Sequence, residues 1–296
     1  MTESVNDSYS LDELIWTGDN TKIYKGRYGT FERPVAIKLL VATADKSKLK
    51  RFQNEALATA AVSHPNIIKL YDFGMTPECE PYMVTDYLEG KTLQYIVEHE
   101  GPLSTERFRA LFHQICGAMA HAHARGVVHL DLKPTNFLVV KDESGEEVPV
   151  IFDFRIARVL QMKDDEELQN TGEIQGTPFY MSPEQCKAER AAKPSDIYTL
   201  GCTMFYTLTG MPPFPGTSSI DTMEMHMNMP PPEGKMDKAL EKIVLKALAK
   251  KPEKRYKSME ELGELIGGKP VDRGDVGEAA DEGEPEGEKK KWWWPF

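Results

Sequence analysis

Cysteine is scarce in this chain: four residues in 296, Cys79, Cys116, Cys186 and Cys202, spread without a CxxC pair. That spacing suggests neither a zinc site nor a disulfide framework, so a reducing cytoplasm is the expected home. Long apolar runs are missing too. No segment approaches the roughly 20 apolar residues that a membrane-spanning helix needs. The opening "MTESVNDSYS" has no basic stretch followed by an apolar one, as a secretory leader would. Positive charge is in deficit: 36 Lys and Arg against 47 Asp and Glu leave a net charge of −11. This argues against a general nucleic-acid binder, because neutralising phosphates needs clustered cations. What remains, 40% hydrophobic and 28% charged, is the make-up of a globular chain able to bury a large core, as one domain or two lobes.

Residues 11 to about 90 read mostly as strands. "KIYKGRY" and "PVAIKLLVA" are short and rich in β-branched or aromatic residues, punctuated by Gly29 and Pro34. One helix interrupts them. "DKSKLKRFQNEALATAAVS" sets Leu49, Phe52, Ala56 and Leu57 at helical spacing and stops at "HPN", since proline disfavours helix in the residue before it. Strand signals return in "IIKLYDFG" and "PYMVTDYL". After Gly90 the pattern turns helical: "TLQYIVEHE"; then "STERFRALFHQICGAMAHAHARG", which opens with a Ser/Glu capping pattern and closes on Gly126; then "SDIYTLGCTMFYTLTG" and "KALEKIVLKALAK". From about Val271 the chain becomes "VDRGDVGEAADEGEPEGE", too poor in large apolar residues to order itself, and ends in "KKKWWWPF".

The strongest chemical signal is "HLDLKPTN", residues 129 to 136, a loop between a helix and the strand-like "FLVV". It brings together a carboxylate that can take a hydroxyl proton (Asp131), a cation for a transferring phosphate (Lys133) and an oxygen ligand for magnesium (Asn136), the parts phosphoryl transfer needs. A chance polar turn is the plain alternative for eight residues alone. Other segments reinforce the signal in order. "VAIK" places Lys38 on a strand and the next helix carries Glu55, so an ammonium can grip phosphates while a carboxylate holds it in place. Asp153 follows in apolar "PVIFDF", where a carboxylate at a buried strand end demands a partner such as magnesium. "GTPFYMSPE", "SDIYTLG" and "KPEKRY" complete the series.

On these motifs the chain resembles the eukaryotic-like Ser/Thr protein kinases of the bacterial branch, over roughly residues 10 to 265. The resemblance implies an α+β, bilobal protein-kinase fold: an N-terminal extension (1–9), a small β-rich lobe (about 10–88), a larger helical lobe (about 89–268) and an acidic tail (269–296). It also implies ATP and Mg2+. In its terms Lys38 and Glu55 are the ion pair, Asp131 the base, Lys133 the phosphate-contacting lysine, and Asn136 and Asp153 the metal ligands. Ile15, Ile23 and Ala36 roof the adenine, Leu138 is its floor, Thr85 the gatekeeper, and Asp86 and Leu88 the hinge. Glu184 with Arg255 staples the helical lobe, Asp196 supports the catalytic loop, and Thr177 lies in a segment of the Ser/Thr type.

Three departures stand out. In "IWTGDNTKIYKG" the expected glycines fall at Trp16, Gly18 and Thr21, so only the middle one survives, and the flap over phosphate should be loosened or reshaped. Leu130 replaces the arginine that clamps a phosphorylated activation loop, so activity should depend less on such phosphorylation; Thr171, then Thr177, are the candidate phosphosites. Arg155 replaces the glycine of the "DFG" pattern. If that backbone needs positive φ, arginine costs roughly 1 kcal/mol more than glycine and removes no catalytic group.

The implied activity is transfer of the ATP γ-phosphoryl group to protein Ser or Thr hydroxyls, in signalling, with protein substrates unnamed. A pseudokinase scaffold is the alternative, and a small-molecule phosphotransferase a more distant one. His113, His121, His123 and His129 lack the pairing a metal site needs, and "MEMHMNMP" reads as a Met-rich helix or substrate-facing loop. The end segment Lys289–Phe296 offers three lysines, worth about 1 kcal/mol each at an anionic bilayer, and interfacial tryptophans, so peripheral membrane association and protein docking are both open.

Overall fold

The computed structural model describes residues 3–6, 8–18, 20–29, 33–41, 46–154, 158–159 and 178–267. Arg155, Thr171, Thr177, the acidic tail and Lys289–Phe296 therefore lie outside the described residues.

The small lobe is a six-stranded antiparallel sheet, in the order β1-β2-β3-β4-β6-β5. Its strands are β1 (Glu3–Asn6), β2 (Tyr9–Thr17), β3 (Thr21–Tyr28), β4 (Arg33–Leu40), β5 (Leu70–Met75) and β6 (Pro81–Asp86). Strand β1 comes from the N-terminal extension: Val5 is buried with Tyr9, Val35 and Val84, so burial of this one valine fixes which way the short strand faces.

Helix α1 (Lys46–Ala60) packs Phe52 and Ala56 against Leu40 and Met83. Its buried residues are Phe52, Glu55, Ala56 and Thr59, at i, i+3, i+4 and i+7, together with Ala58. Leu57, expected on that face, is instead 47% exposed, because at 100° per residue it stands two steps round from Glu55, which takes the inward position.

In the large lobe β7 (Lys91–Thr92) leads into α2 (Leu93–Glu100), followed by α3 (Thr105–Ala124). Ser104 caps α3 by accepting from the Arg107 N–H; the reciprocal glutamate of a full capping box is absent, since Arg107 occupies that position. Short strands β8 (Val127–Val128), β9 (Phe137–Lys141), β10 (Glu147–Ile151) and β11 (Arg158–Val159) form two small sheets with β7. Helices α4 (Pro183–Cys186), α5 (Lys193–Thr209), α6 (Ser219–Asn228), α7 (Lys238–Ala247) and α8 (Met259–Gly267) complete the lobe. Helix α5 is buried on every side from Ser195 to Leu208, hence its apolar residues all round. Gly201 lets it approach α7: a Cβ there would stand 3.0 Å from that of Ala247.

Among the described residues no helix is long and apolar enough to cross a membrane.

Candidate active site

A cavity of about 550 Å³ is lined by both lobes. Its upper wall is built by strand register. Ala36 and Lys38 are two apart on β4 and so share a face, while Ile23 pairs with Lys38 on the adjacent strand. Strand β2 slips register between Leu14 and Trp16, and this bulge lets two consecutive residues, Ile15 and Trp16, both line the cavity. Thr21 lines it as well. Two of the three expected glycine positions thus bear side chains on the cavity wall, whereas Gly18 does not reach it. Gly18 instead makes room for the indole, since a Cβ there would fall 2.2 Å from the tip of the Trp16 ring. Its N–H closes a turn onto Thr21 O at 2.8 Å.

Lys38 and Glu55 meet at 2.5 Å, and the Lys38 ammonium lies 3.7 Å from Asp153 Oδ1. Glu55 is buried (4% exposed), so the lysine also compensates a carboxylate taken out of water. Thr85 lines the cavity beside Met83, as a gatekeeper would.

Several sequence expectations shift here. Leu138 is wholly buried in a cluster with Ile68, Val140 and Val150; Phe152 packs against that cluster and, with Ile68, provides the lining where Leu138 was expected as floor. Leu88 packs against the same cluster and is absent from the lining. Asp86 also lies outside it: its carboxylate accepts from the Tyr71 hydroxyl and, at 3.1 Å, from the Lys69 N–H. Burial and that carboxylate raise the Tyr71 phenol well above its usual range. Conversely, Thr92, Gln94, Tyr95 and Glu98, at the start of α2, extend the cavity outward; nothing in their local pattern announced it.

The lower wall carries the catalytic-loop motif. Asp131 Oδ2 is 2.9 Å from Lys133 Nζ and accepts at 3.3 Å from Asn136 Nδ2, which also donates to Asp131 O at 2.9 Å. The Phe152 N–H donates to Asn136 O at 3.1 Å, bringing this loop beside the segment that carries Asp153. His129 reinforces that join. Its Nδ1 accepts from the Asp131 N–H at 3.2 Å, which leaves the proton on Nε2 to face Phe152 O, also at 3.2 Å.

Beneath the loop Asp196 is fully buried and accepts three bonds: from His129 N at 2.9 Å, Leu130 N at 2.7 Å and His123 Nε2 at 2.8 Å. Thr203, on α5, donates to Leu132 O at 2.7 Å. His123 is thereby a support of the loop, a role its position in a long helix did not reveal. Glu184 and Arg255 form a two-pronged pair at 2.7 and 2.8 Å, and Ser195 donates to Glu184 at 2.6 Å. Burial pushes the Glu184 carboxyl up, but the guanidinium and the hydroxyl outweigh it and hold the group below its ordinary value.

Two left-handed residues bracket the chemistry, Leu130 (φ 65°) and Asp153 (φ 65°). Position 155, where a positive φ was considered, lies outside the described residues; Asp153, two residues earlier, has one. For magnesium the donor set fits. Asn136 commits its nitrogen to Asp131, and its oxygen, met by the Thr135 hydroxyl at 3.4 Å, keeps a lone pair for a metal, while Asp153 supplies a carboxylate nearby. Magnesium takes one or two protein oxygens plus phosphate oxygens and water, and needs no larger cluster of acidic or histidine side chains.

Residues 9–264 match the protein kinase domain profile. Among similar proteins, serine/threonine-protein kinase PknB of Mycolicibacterium smegmatis is 36% identical over 270 residues, covering 88% of this chain and 42% of that kinase. Serine/threonine-protein kinase PrkC of Bacillus subtilis is 34% identical, covering 87% and 40%, and pkn3 of Myxococcus xanthus is 32% identical, covering 85% and 48%. The chain thus spans less than half the length of these relatives. A profile match across both lobes, over a cavity that gathers Lys38, Glu55, Lys133, Asn136 and Asp153 with Asp131 bonded beside them, makes this chain a member of the protein kinase family.

Proposed function

We propose that the chain is a serine/threonine protein kinase that moves the γ-phosphoryl group of Mg-ATP to a Ser or Thr hydroxyl of another protein. The observation that carries this reading is a pair of polar clusters gathered at one cavity. Glu55, Lys38 and Asp153 join on the upper side of the cavity, and Lys133 and Asn136 line its lower side with Asp131 bonded to both.

In this reading Asp131 orients the acceptor hydroxyl and takes its proton as the oxygen attacks the γ-phosphorus. The bond to the β–γ bridging oxygen breaks and ADP leaves. Lys133 neutralises charge on the moving phosphoryl group, and Lys38, held by Glu55, grips the phosphates that stay behind. Asn136 and Asp153 would hold magnesium, which would supply charge neutralisation to the phosphates. Ile15, Ile23 and Ala36 cover the base. The relatives named as Ser/Thr kinases, together with "GTPFY", favour those acceptors over tyrosine.

Labelled ATP with magnesium tests the reading, using the native chain beside Asp131→Asn on a generic basic protein. Native transfer is expected, with the variant slower by about 10²–10⁴-fold. Equal silence of both, while nucleotide still raises the melting temperature, would overturn it.

ATP, magnesium and reduced thiols are cytoplasmic supplies, and we place the domain there, with Lys289–Phe296 as a peripheral contact to membrane or protein. Co-sedimentation with anionic liposomes, with and without residues 289 to 296, decides between them; equal binding removes the membrane.

A further inference from the structure

We propose that Gln185 is a positioning residue for phosphoryl transfer: its side-chain amide ties the capped start of α4 to the carbonyl of Leu130 and so sets the aim of Asp131. This rests on the kinase reading above and adds a device that needs no phosphate.

The backbone at Leu130 is strained. Leu130 has φ 65°, a region that costs an L-residue roughly 1–2 kcal/mol, and such backbone persists only where its surroundings over-determine it. Here they do, from two directions. The Leu130 N–H donates to Asp196 Oδ1 at 2.7 Å, and its carbonyl accepts from Gln185 Nε2 at 2.8 Å. Its side chain is buried with Val128 and Ala191. The peptide plane that follows Leu130 belongs also to Asp131, so a tilt of that plane would swing the carboxylate away from Lys133.

The orientation of the Gln185 amide follows from donor chemistry. Ser182 N–H, which can only donate, lies 3.0 Å from one end of the amide, so that end must be the oxygen and the nitrogen must face Leu130. The Ser182 hydroxyl meets the same oxygen at 2.9 Å. One side chain thus completes a capping box and reaches across to the catalytic loop. A family arginine at position 130 would need a phosphate to anchor it. A buried leucine held by a neutral amide does not.

The two ends of the amide can be separated. Gln185→Glu keeps an acceptor for Ser182 but removes the donor and sets an oxygen against the Leu130 carbonyl. In the full-length chain we expect kcat to fall about ten- to a hundredfold, the scale of a misaimed catalytic group. KM for ATP and the nucleotide-induced thermal shift should not move. Gln185→Leu, which removes both ends, should show the same loss of kcat and a lower melting temperature, whereas Ser182→Ala should lower the melting temperature and retain most of kcat. Native kcat in Gln185→Glu, or an equal kcat loss in Ser182→Ala, would overturn the proposal. Native activity that vanishes on phosphatase treatment would do so too, since a phosphate would then set the loop. Silence of the native chain itself is a different result and counts against the kinase reading, because the tether is read only as a ratio to native turnover.

Discussion

The lower wall of the cavity and its upper wall are built on different principles. Below, four backbone groups around Asp131 are held by side chains from distant elements, His129 N and Leu130 N by Asp196 and Leu132 O by Thr203, both on α5, and Leu130 O by Gln185 on α4, while His129 ties the loop across to Phe152. Above, the segment expected to cover phosphates is a strand bulge and a tight turn, with a tryptophan resting on the one retained glycine. A network in which each member has several buried partners tolerates little change, because one loss leaves other groups unsatisfied. A wall made of side-chain packing can exchange its residues. The contrast explains how Trp16 and Thr21 coexist with the gathered Lys38, Glu55, Lys133, Asn136 and Asp153.

Three substitutions probe that contrast. The largest effect is expected below. Arg255→Met leaves Glu184 as an uncompensated buried carboxylate and should cost about 3–5 kcal/mol in urea unfolding, with turnover falling in step. A neutral result would show that the lower wall is as tolerant as the upper one.

The next effect is a pH dependence. His226, on α6, is fully buried; its Nδ1 is 2.9 Å from the Tyr198 hydroxyl, the Phe214 ring lies against it, and Lys250 reaches the same hydroxyl. The carbonyls of Pro178 and Phe179 are the other polar groups facing it. Burial, then the Lys250 charge, pushes the imidazole down to about 4. A base with a lowered folded pKa binds its proton more readily when unfolded, so stability falls as pH drops from about 6.5 to about 4, by about 3 kcal/mol in all. Urea melts across that window should show the slope in the native chain and a shallower one in His226→Phe; parallel slopes would place the titration elsewhere.

The smallest effect belongs to the upper wall. Trp16→Gly should change KM for ATP and leave kcat in place, because the indole touches the cavity and none of the groups that move protons or phosphate. A fall in kcat would mean that the two walls are coupled after all.

The six candidate site residues were readable in the sequence because the chemistry proposed for them dictates residue type at each step and the motifs follow one another in fixed order. Lys38, Glu55, Asp131, Lys133, Asn136 and Asp153 all come together as their motifs suggested. What was not readable depends on elements far apart in the chain. Leu57 leaves the buried face of α1, where Glu55 points inward because Lys38, seventeen positions earlier, claims its carboxylate. Leu138 is displaced from the cavity by Phe152, and the α2 residues enter it, through packing that no local periodicity encodes. Left-handed backbone at Leu130 and Asp153 is equally hidden, since neither is glycine and both are held by tertiary contacts.

The indole of Trp16 has one more consequence, which is optical. The chain has four tryptophans, and the other three are the consecutive residues 292 to 294. A chain ending before position 292 would carry a single fluorophore, seated on the rim of the cavity and pressed against Gly18. Its emission would report arrival of a nucleotide directly, without label or coupled assay, turning the least family-like residue of the cavity into the probe of its occupancy.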